Sequence, residues 1–213
     1  MSVRKAPRIT IFDYGVGNLH SIKKALELGG AVVTVSNNID TVLKAKAIVF
    51  PGVGDFGAVM KAMGPMAARI SKKLADGTPV LGICIGFQIM FGSSEEAPKK
   101  GLDFMKGNVV RFKGVRVPHM GWNNVKVTSA GTKDPIMKGL PKNGFFYFAN
   151  SYAPRAKGKD AVALGEAEYG RKFPALMRKA NTYGTQFHPE KSGKDGLRLI
   201  KNFVMFVAKE ACQ

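Results

Sequence analysis

Apolar and polar residues along the first half of the chain follow two alternating periods. Short apolar runs predict strands at 8–12, 31–35, 47–50 and 80–83. Segments with a helical apolar period lie between or after them and predict helices at 19–28 and 85–91 and a largely helical segment at 56–75. Strands that alternate with helices are typical of a parallel sheet covered by helices on both faces. This half of the sequence therefore predicts an open α/β sheet.

The second half of the chain has a different pattern. Short alternating segments at 123–127, 145–151, 161–167 and 175–179 predict antiparallel hairpins added to the sheet. A final helix is predicted at 195–211, where residues 197, 200, 203, 204 and 207 form one apolar stripe. The predicted fold class is thus α/β: an open, mainly parallel sheet with helices on both faces and added antiparallel hairpins.

Length and composition narrow the classes of protein to consider. The 213 residues are 45% apolar and contain no Ser-, Pro- or Gly-rich linker, so we expect a single domain spanning 1–213. The two cysteines form neither a disulfide framework nor a metal-ligand cluster, which indicates a reducing compartment and no bound metal or cofactor. No signal peptide or apolar stretch of bilayer length occurs. We therefore expect a cytoplasmic protein.

The net charge of +18 has two interpretations. It could form a surface for a polyanion, or it could reflect a lysine-rich exterior with a basic face toward an acidic partner. The basic residues are scattered in small clusters such as Lys99-Lys100 and Arg171-Lys172, without a basic helix or an aromatic RNA-binding motif. Specific nucleic-acid binding is therefore the weaker interpretation.

The strongest chemical signal is the run LGICIGFQ at 81–88. Cys84 falls where a buried strand gives way to a predicted helix, which is the strand-to-helix corner called a nucleophile elbow. Gly82 and Gly86 flank it because such a corner brings backbones close together. The amides and dipole of a helix N-terminus stabilise a thiolate, so Cys84 is a candidate nucleophile. A cysteine between glycines, taken alone, is also typical of a small buried residue.

A candidate base and its orienting group lie in the run FHPE at 187–190. Pro189 pushes His188 into an extended conformation, where residues two apart point the same way, so His188 and Glu190 share a side. A carboxylate at the second ring nitrogen would fix the tautomer and orientation of the imidazole. The other histidines, at 20 and 119, lack an acidic residue at this offset. The two runs together predict a Cys-His-Glu triad.

A glycine-rich loop at 15–20, GVGNLH, invites a nucleotide-binding interpretation because it opens a predicted helix after the first strand. His20 stands where the dinucleotide fingerprint requires its third glycine, and no Lys-Ser or Lys-Thr pair follows as in a phosphate-binding loop. The sequence therefore disfavours nucleotide binding at this loop.

Taken together, the elbow with Gln88, the run YGTQFHPE at 183–190 and the loop PGVG at 51–54 resemble the class I, or triad, glutamine amidotransferases. Within that family, the runs DYGVGNL at 13–19, PGVGDFG at 51–57, PHMGWN at 118–123 and EKS at 190–192 are similar to those of the glutaminase subunits of imidazole glycerol phosphate synthases, which act in histidine biosynthesis. These motifs extend from near the N-terminus to about residue 200.

The resemblance implies a reaction and a partner. Glutamine would be hydrolysed to glutamate and ammonia through a thioester on the cysteine, without a cofactor. Ammonia would pass to a (β/α)8-barrel cyclase subunit, which uses it to make imidazole glycerol phosphate and an aminoimidazole carboxamide ribonucleotide.

The resemblance also implies roles for individual residues. The catalytic triad would be Cys84, His188 and Glu190, and the backbone amides of Val53 and Ile85 would form the oxyanion hole. The positions that bind glutamine would be Gly52, Gln88, Glu96, Ser151 and Tyr152. The positions at the partner interface and ammonia exit would be Gly15, Gly17, Asn18, Trp122, Tyr147 and Lys191.

Several of these assignments have competing explanations. The loop PGVG could be an ordinary glycine turn, the run SSEE at 93–96 a solvated helix end, and Trp122 and Tyr147 core aromatics. The family usually has histidine before the Ser-Tyr pair, whereas this chain has Asn150, which cannot carry a charge. The nearest alternative function is a paralogous amidotransferase that feeds ammonia to another synthase, such as one of an amino-sugar pathway. A basic nucleic-acid-binding protein is the alternative from a different class.

Overall fold

The computed structural model of the chain describes residues 6–15 and 19–211. Its strands are β1 Arg8–Phe12, β2 Val32–Ser36, β3 Ile48–Phe50, β4 Val80–Ile83, β5 Ser93–Ser94, β6 Ala97–Lys100, β7 Gly107–Arg111, β8 His119–Val127, β9 Asn143–Asn150, β10 Tyr152–Ala156, β11 Val162–Tyr169, β12 Arg171–Lys179 and β13 Thr182–Thr185. Its α-helices are α1 Leu19–Leu28, α2 Ile39–Lys44, α3 Phe56–Met63, α4 Ala67–Ala75, α5 Ile85–Gln88 and α6 Gly193–Glu210. Single 3₁₀ turns lie at Gly64–Met66, Gly131–Lys133, Pro135–Met137 and Pro189–Lys191.

The larger sheet has nine strands in the order β2-β1-β3-β4-β13-β12-β11-β8-β9. The strands from β2 to β13 in this order pair in parallel, and those from β13 to β9 pair antiparallel. The parallel sheet and the added hairpins β8–β9 and β11–β12 confirm the fold that the sequence predicts. A second sheet, in the order β10-β7-β5-β6, is not predicted, because β5 has two residues and β6 is polar and mostly exposed.

Two apolar cores lie on opposite faces of the parallel strands, because successive side chains of a strand alternate between faces. On one face Ile9 and Ile11 of β1 pack with α1 and α6. On the other, Phe12 of β1 and Phe50 of β3 pack with α2, α3, α4 and α5. The helices therefore cover both faces, as predicted. None of the described helices is long and apolar enough to cross a lipid bilayer.

Two details of the predicted helices are wrong. Helix α5 ends at Gln88 instead of 91, because the carbonyls of Ile89, Met90 and Phe91 accept hydrogen bonds from the segment 102–105 instead of from a further helical turn. In α6, Leu197 is 40% exposed and does not belong to the buried stripe, whereas Leu199 is fully buried. The remaining predicted stripe positions are buried.

Candidate active site

Cys84 forms the corner between β4 and α5. Its backbone has φ 49° and ψ −105°, a left-handed conformation that costs a residue with a side chain about 1–3 kcal/mol. The Cys84 N–H holds the corner in place by donating to the Thr185 carbonyl at 2.6 Å. A Cβ added to Gly82 would overlap the Gly86 carbonyl, and one added to Gly86 would overlap the Phe50 carbonyl. The strained corner and the close backbone approach predicted from the sequence are both confirmed.

His188 and Glu190 lie beside this corner because β13 pairs in parallel with β4, so that the chain leaves β13 next to Cys84. The Nδ1 atom of His188 lies 2.8 Å from Oε1 of Glu190, and both side chains are buried. The His188 backbone N–H donates to the Tyr147 carbonyl at 2.8 Å, which fixes the segment. The predicted pairing of the imidazole with the carboxylate two residues later is therefore present.

The surroundings of His188 favour its charged form. Burial alone lowers its pKa, but the negative charge of Cys84 and Glu190 and the hydrogen bonds to both raise the pKa to about 10. The surroundings therefore favour the protonated ring, which lies between a sulfur atom and a carboxylate. This arrangement supplies a proton donor beside a nucleophile.

Gln186 is a buried residue beside Cys84 for which the sequence predicts no role. Its Nε2 lies 3.5 Å from the Cys84 sulfur. The Nε2 atom of Gln88 donates to Oε1 of Gln186 at 3.0 Å and to the Tyr152 carbonyl at 2.9 Å. The run YGTQFHPE contains Gln186, but the direction of its side chain depends on how β13 is placed against β4, and the sequence does not specify that register.

A pocket of about 180 Å³ opens beside Cys84. It is lined by Gly54, Cys84, Ile85, Gln88, Glu96, Pro118, Ala149, Asn150, Ser151 and Tyr152. The structure thus brings Gln88 and Glu96 together with Ser151 and Tyr152, a pair that follows more than fifty positions later in the sequence. The volume is below the 300–1,000 Å³ usual for drug-sized ligands, so it suits a smaller molecule.

The PGVG loop packs against the triad. A Cβ added to Gly52 would lie 3.0 Å from Cε1 of His188 and 2.8 Å from Cγ2 of Ile83. The loop is anchored by the segment after β1, because the hydroxyl of Tyr14 donates a hydrogen bond to the Pro51 carbonyl. Burial, together with the charge of Cys84, raises the pKa of Tyr14, so this hydroxyl keeps its proton and acts as a donor. Val53 therefore lies in a loop that packs against His188 and is bonded to Tyr14.

Glu96 follows a short strand, so its interpretation as part of a solvated helix end is wrong. Its Oε2 accepts the backbone N–H of Phe56, the first residue of α3, at 2.9 Å. Burial raises the pKa of Glu96 against the opposing effect of this hydrogen bond, and the nearby Asp55 carboxylate adds to the rise. Glu96 is thus a half-buried carboxyl group in the pocket wall.

Asn150, the residue before the Ser-Tyr pair, lies in the pocket wall. Its Nδ2 donates to the Tyr152 carbonyl at 2.8 Å, whereas its buried Oδ1 has no hydrogen-bond partner among the described residues. A buried acceptor without a partner is costly unless a ligand or water supplies a donor. Asn150 therefore leaves one buried neutral acceptor in the pocket wall without a partner among the described residues.

The outer face of the hairpin β8–β9 is apolar and exposed. We call the side chains of Met120, Trp122, Phe145 and Tyr147 the outer aromatic face; the first three are 65%, 55% and 60% exposed. Trp122 pairs with Tyr147 across the strands, with ring centroids 6.3 Å apart. The interpretation of Trp122 as a core aromatic is wrong, and Tyr147 is half-buried.

The other predicted interface positions are Gly15, Gly17, Asn18 and Lys191. Lys191 lies beside the outer aromatic face, with Nζ 5.9 Å from the Tyr147 ring centroid. Gly15 is exposed and has φ 84°, which glycine adopts readily. Gly17 and Asn18 lie outside the described residues.

Among the described residues, no group of three or more His, Cys, Asp or Glu side chains is placed to hold a metal ion.

Comparisons with known proteins agree on one family. The family model for class I glutamine amidotransferases matches residues 10–207. Imidazole glycerol phosphate synthase subunit HisH of Methanocaldococcus jannaschii is 47% identical over 199 residues, which cover 92% of this chain and 98% of that protein. The subunit of the same name from Thermococcus kodakarensis is 44% identical over 201 residues, covering 92% and 98%. A crystal structure of a glutamine amidotransferase has a TM-score of 0.73 and 20% identity, covering 94% of this chain and 98% of that one, which shows a similar fold.

Proposed function

The chain belongs to the class I glutamine amidotransferases and, within them, to the glutaminase subunits of imidazole glycerol phosphate synthase, and we propose that Cys84, His188 and Glu190 are its catalytic triad. The enzyme is a glutaminase of histidine biosynthesis. The observation that carries the proposed triad is the buried arrangement at the pocket, in which His188 interacts with Cys84 and lies 2.8 Å from Glu190.

Glutamine binds in the pocket beside Cys84. Glu96 is the acidic group of the pocket wall, so we propose that its carboxylate binds the α-ammonium group of the substrate. The neutral Oδ1 of Asn150 accepts a further substrate N–H, and Ser151 and Tyr152 supply polar groups on the same side. Both amide hydrogens of Gln88 are used within the protein, so its oxygen is the atom that it offers to the substrate.

Acylation begins when the Cys84 sulfur attacks the side-chain carbonyl carbon of glutamine. A C–S bond forms and the carbonyl oxygen becomes an oxyanion, which the backbone N–H groups of Val53 and Ile85 stabilise in our proposal. The His188 imidazolium then gives its proton to the amide nitrogen. The C–N bond breaks, ammonia leaves, and the acyl group remains on Cys84 as a thioester.

Deacylation reverses the proton flow. The neutral His188 takes a proton from water, the resulting hydroxide attacks the thioester carbon, and the C–S bond breaks. The new γ-carboxyl group releases its proton to solvent, glutamate leaves, and Cys84 and His188 are ready for the next cycle. Glu190 stabilises the imidazolium at both stages and holds the ring in place through Nδ1.

The partner that receives ammonia is, in our proposal, the cyclase subunit of the synthase, a (β/α)8 barrel. The outer aromatic face is its docking surface, because an exposed apolar patch on a polar protein marks an interaction site. This face adjoins the triad: the Tyr147 carbonyl accepts the His188 N–H, and the Tyr147 N–H donates to Ser192 Oγ at 2.9 Å. A free catalytic thiol fits a reducing compartment, and we propose the cytoplasm as the place of assembly.

Product formation by the assembled synthase tests this function. The full chain is mixed with the cyclase subunit and its ribonucleotide substrate, and nitrogen is supplied either as glutamine or as an ammonium salt. We expect the wild type to use both sources and the Cys84→Ser variant to use ammonium alone. Glutamine hydrolysis without product formation would exclude this cyclase as the acceptor and favour a paralogous synthase.

A further inference from the structure

We propose that the side-chain amide of Gln186 donates a hydrogen bond to the Cys84 sulfur that stabilises the thiolate and holds it for attack, and that Gln88 orients this amide. The inference rests on the proposed role of Cys84 as nucleophile. It assigns to Gln186 a positioning role in the triad's chemistry, and it gives Gln88 a second task besides contact with substrate.

The orientation of the two amides follows from one backbone group. The carbonyl of Tyr152 can only accept, so the atom of Gln88 that lies 2.9 Å from it is the NH₂ group. The same nitrogen lies 3.0 Å from the Gln186 side chain, which must therefore present its oxygen. The NH₂ group of Gln186 is then directed at the Cys84 sulfur, 3.5 Å away.

The position of Gln186 is set by the main chain. It follows β13 directly, and its backbone N–H donates to the Ala175 carbonyl at 2.8 Å. The preceding residue, Thr185, accepts the N–H of Cys84 and pairs with Ile83 across the parallel strands. Gln186 is fully buried and does not line the pocket, whereas Cys84 does, so the contact with the sulfur lies within the protein.

The reaction needs such a donor because the sulfur leaves as an anion during deacylation. The protonation state of His188 changes through the cycle, because it gives its proton to the departing nitrogen and takes another from water. An amide N–H does not titrate and donates throughout the cycle. The helix that the sequence predicts after Cys84 consists of a single turn, so the macrodipole of a long helix is not available. Gln186 supplies a directed donor in its place.

Alkylation of Cys84 by iodoacetamide tests the proposal without any substrate. The chain has a second cysteine, Cys212, so all proteins carry Cys212→Ser. Gln186→Met keeps the length of the side chain and removes the donor, and Gln186→Glu keeps its shape and places a carboxylate at the sulfur. Thr182→Val is the matched control, because Thr182 is fully buried on β13, the strand just before Gln186, and its hydroxyl has no partner among the described residues.

We expect Gln186→Met to slow alkylation near neutral pH about tenfold. A hydrogen bond to a charged group changes the equilibrium constant for forming that charge by about ten- to a hundredfold. The rate should match that of the wild type in strongly alkaline buffer, where every thiol is ionised. Gln186→Glu should be slower still near neutral pH, and Thr182→Val should be unchanged. In the assembled synthase, kcat for glutamine should fall by a similar factor with little change in KM.

Two results would overturn the proposal. One is equal alkylation of the wild type and both Gln186 variants near neutral pH. The other is a slowing of the same size at both pH values, which would indicate lost access rather than lost thiolate. Failure of the proposed function would look different, since the wild-type synthase would then show no glutamine turnover at all.

Discussion

The hydroxyl of Tyr14 donates a hydrogen bond to the backbone carbonyl of Pro51, and this contact joins the end of β1 to the PGVG loop beside Cys84. Gly15, the next residue after Tyr14, belongs to the loop that we assign to the partner interface. Val53, two residues after Pro51, provides a proposed oxyanion donor. The bond therefore connects the expected partner surface to the catalytic backbone.

Replacing Tyr14 by phenylalanine removes this anchor and keeps the ring. We expect kcat for glutamine hydrolysis in the assembled synthase to fall about tenfold with KM nearly unchanged, since a complete loss of one oxyanion donor costs about a hundredfold to a thousandfold. Tyr169→Phe is the matched control, because that hydroxyl also donates to a backbone carbonyl, that of Arg116 at 2.6 Å. Equal kcat in Tyr14→Phe and wild type would show that the loop needs no anchor.

The two supporting residues of the triad should differ in importance. His188→Asn removes the group that transfers protons, whereas Glu190→Gln leaves an imidazole that can still act in a less favourable pose. We expect the loss of kcat to be at least about tenfold larger for His188→Asn, as in triads where the orienting acid contributes less than the base. The measurement is steady-state glutamate release by each assembled variant. A larger loss for Glu190→Gln would contradict the assigned roles.

Stability should depend on pH through His188. Its pKa is about 10 in the folded chain and about 6.5 when unperturbed, so the folded state binds more protons across this interval. The stabilisation from the charged ring is complete below about 6.5 and is lost as the pH rises through about 10. Denaturant unfolding should show that the free energy of unfolding of the wild type, relative to His188→Asn, declines over this range. A relative stability that rises with pH would contradict a charged His188.

Local sequence patterns predict some features of this fold, and contacts between distant segments determine the others. Most strands of the larger sheet, its hairpins and the elbow were predictable because they follow from apolar periods and from the steric needs of Gly82 and Gly86, whereas the second sheet was not. The early end of α5 was not, since it depends on hydrogen bonds from the distant segment 102–105. The contact of Gln186 with Cys84 depends in the same way on the pairing of β13 with β4, which links residues about a hundred positions apart.

The outer aromatic face should carry much of the binding energy for the cyclase subunit. Trp122 is 55% exposed in the free chain, and buried tryptophans at interface centres contribute about 2 kcal/mol or more to binding. We expect Trp122→Ala to raise the Kd of the complex at least about tenfold. Val32→Ala is the control, since Val32 is 49% exposed on β2, the edge strand at the opposite end of the sheet. Calorimetric titration with the cyclase subunit gives the Kd of both variants. An equal change in Kd for Trp122→Ala and Val32→Ala would contradict the assignment of the outer aromatic face as the docking surface.

Glutamate release from glutamine by the assembled synthase tests the central claim most directly, with wild-type chain compared with Cys84→Ser. The substitution changes one atom at the corner and preserves the fold, which thermal unfolding checks. Because a serine hydroxyl ionises far less readily than a thiol, we expect the variant to lose at least about a thousandfold in kcat. Turnover by folded Cys84→Ser at a rate close to that of the wild type would contradict the assignment of Cys84 as the nucleophile.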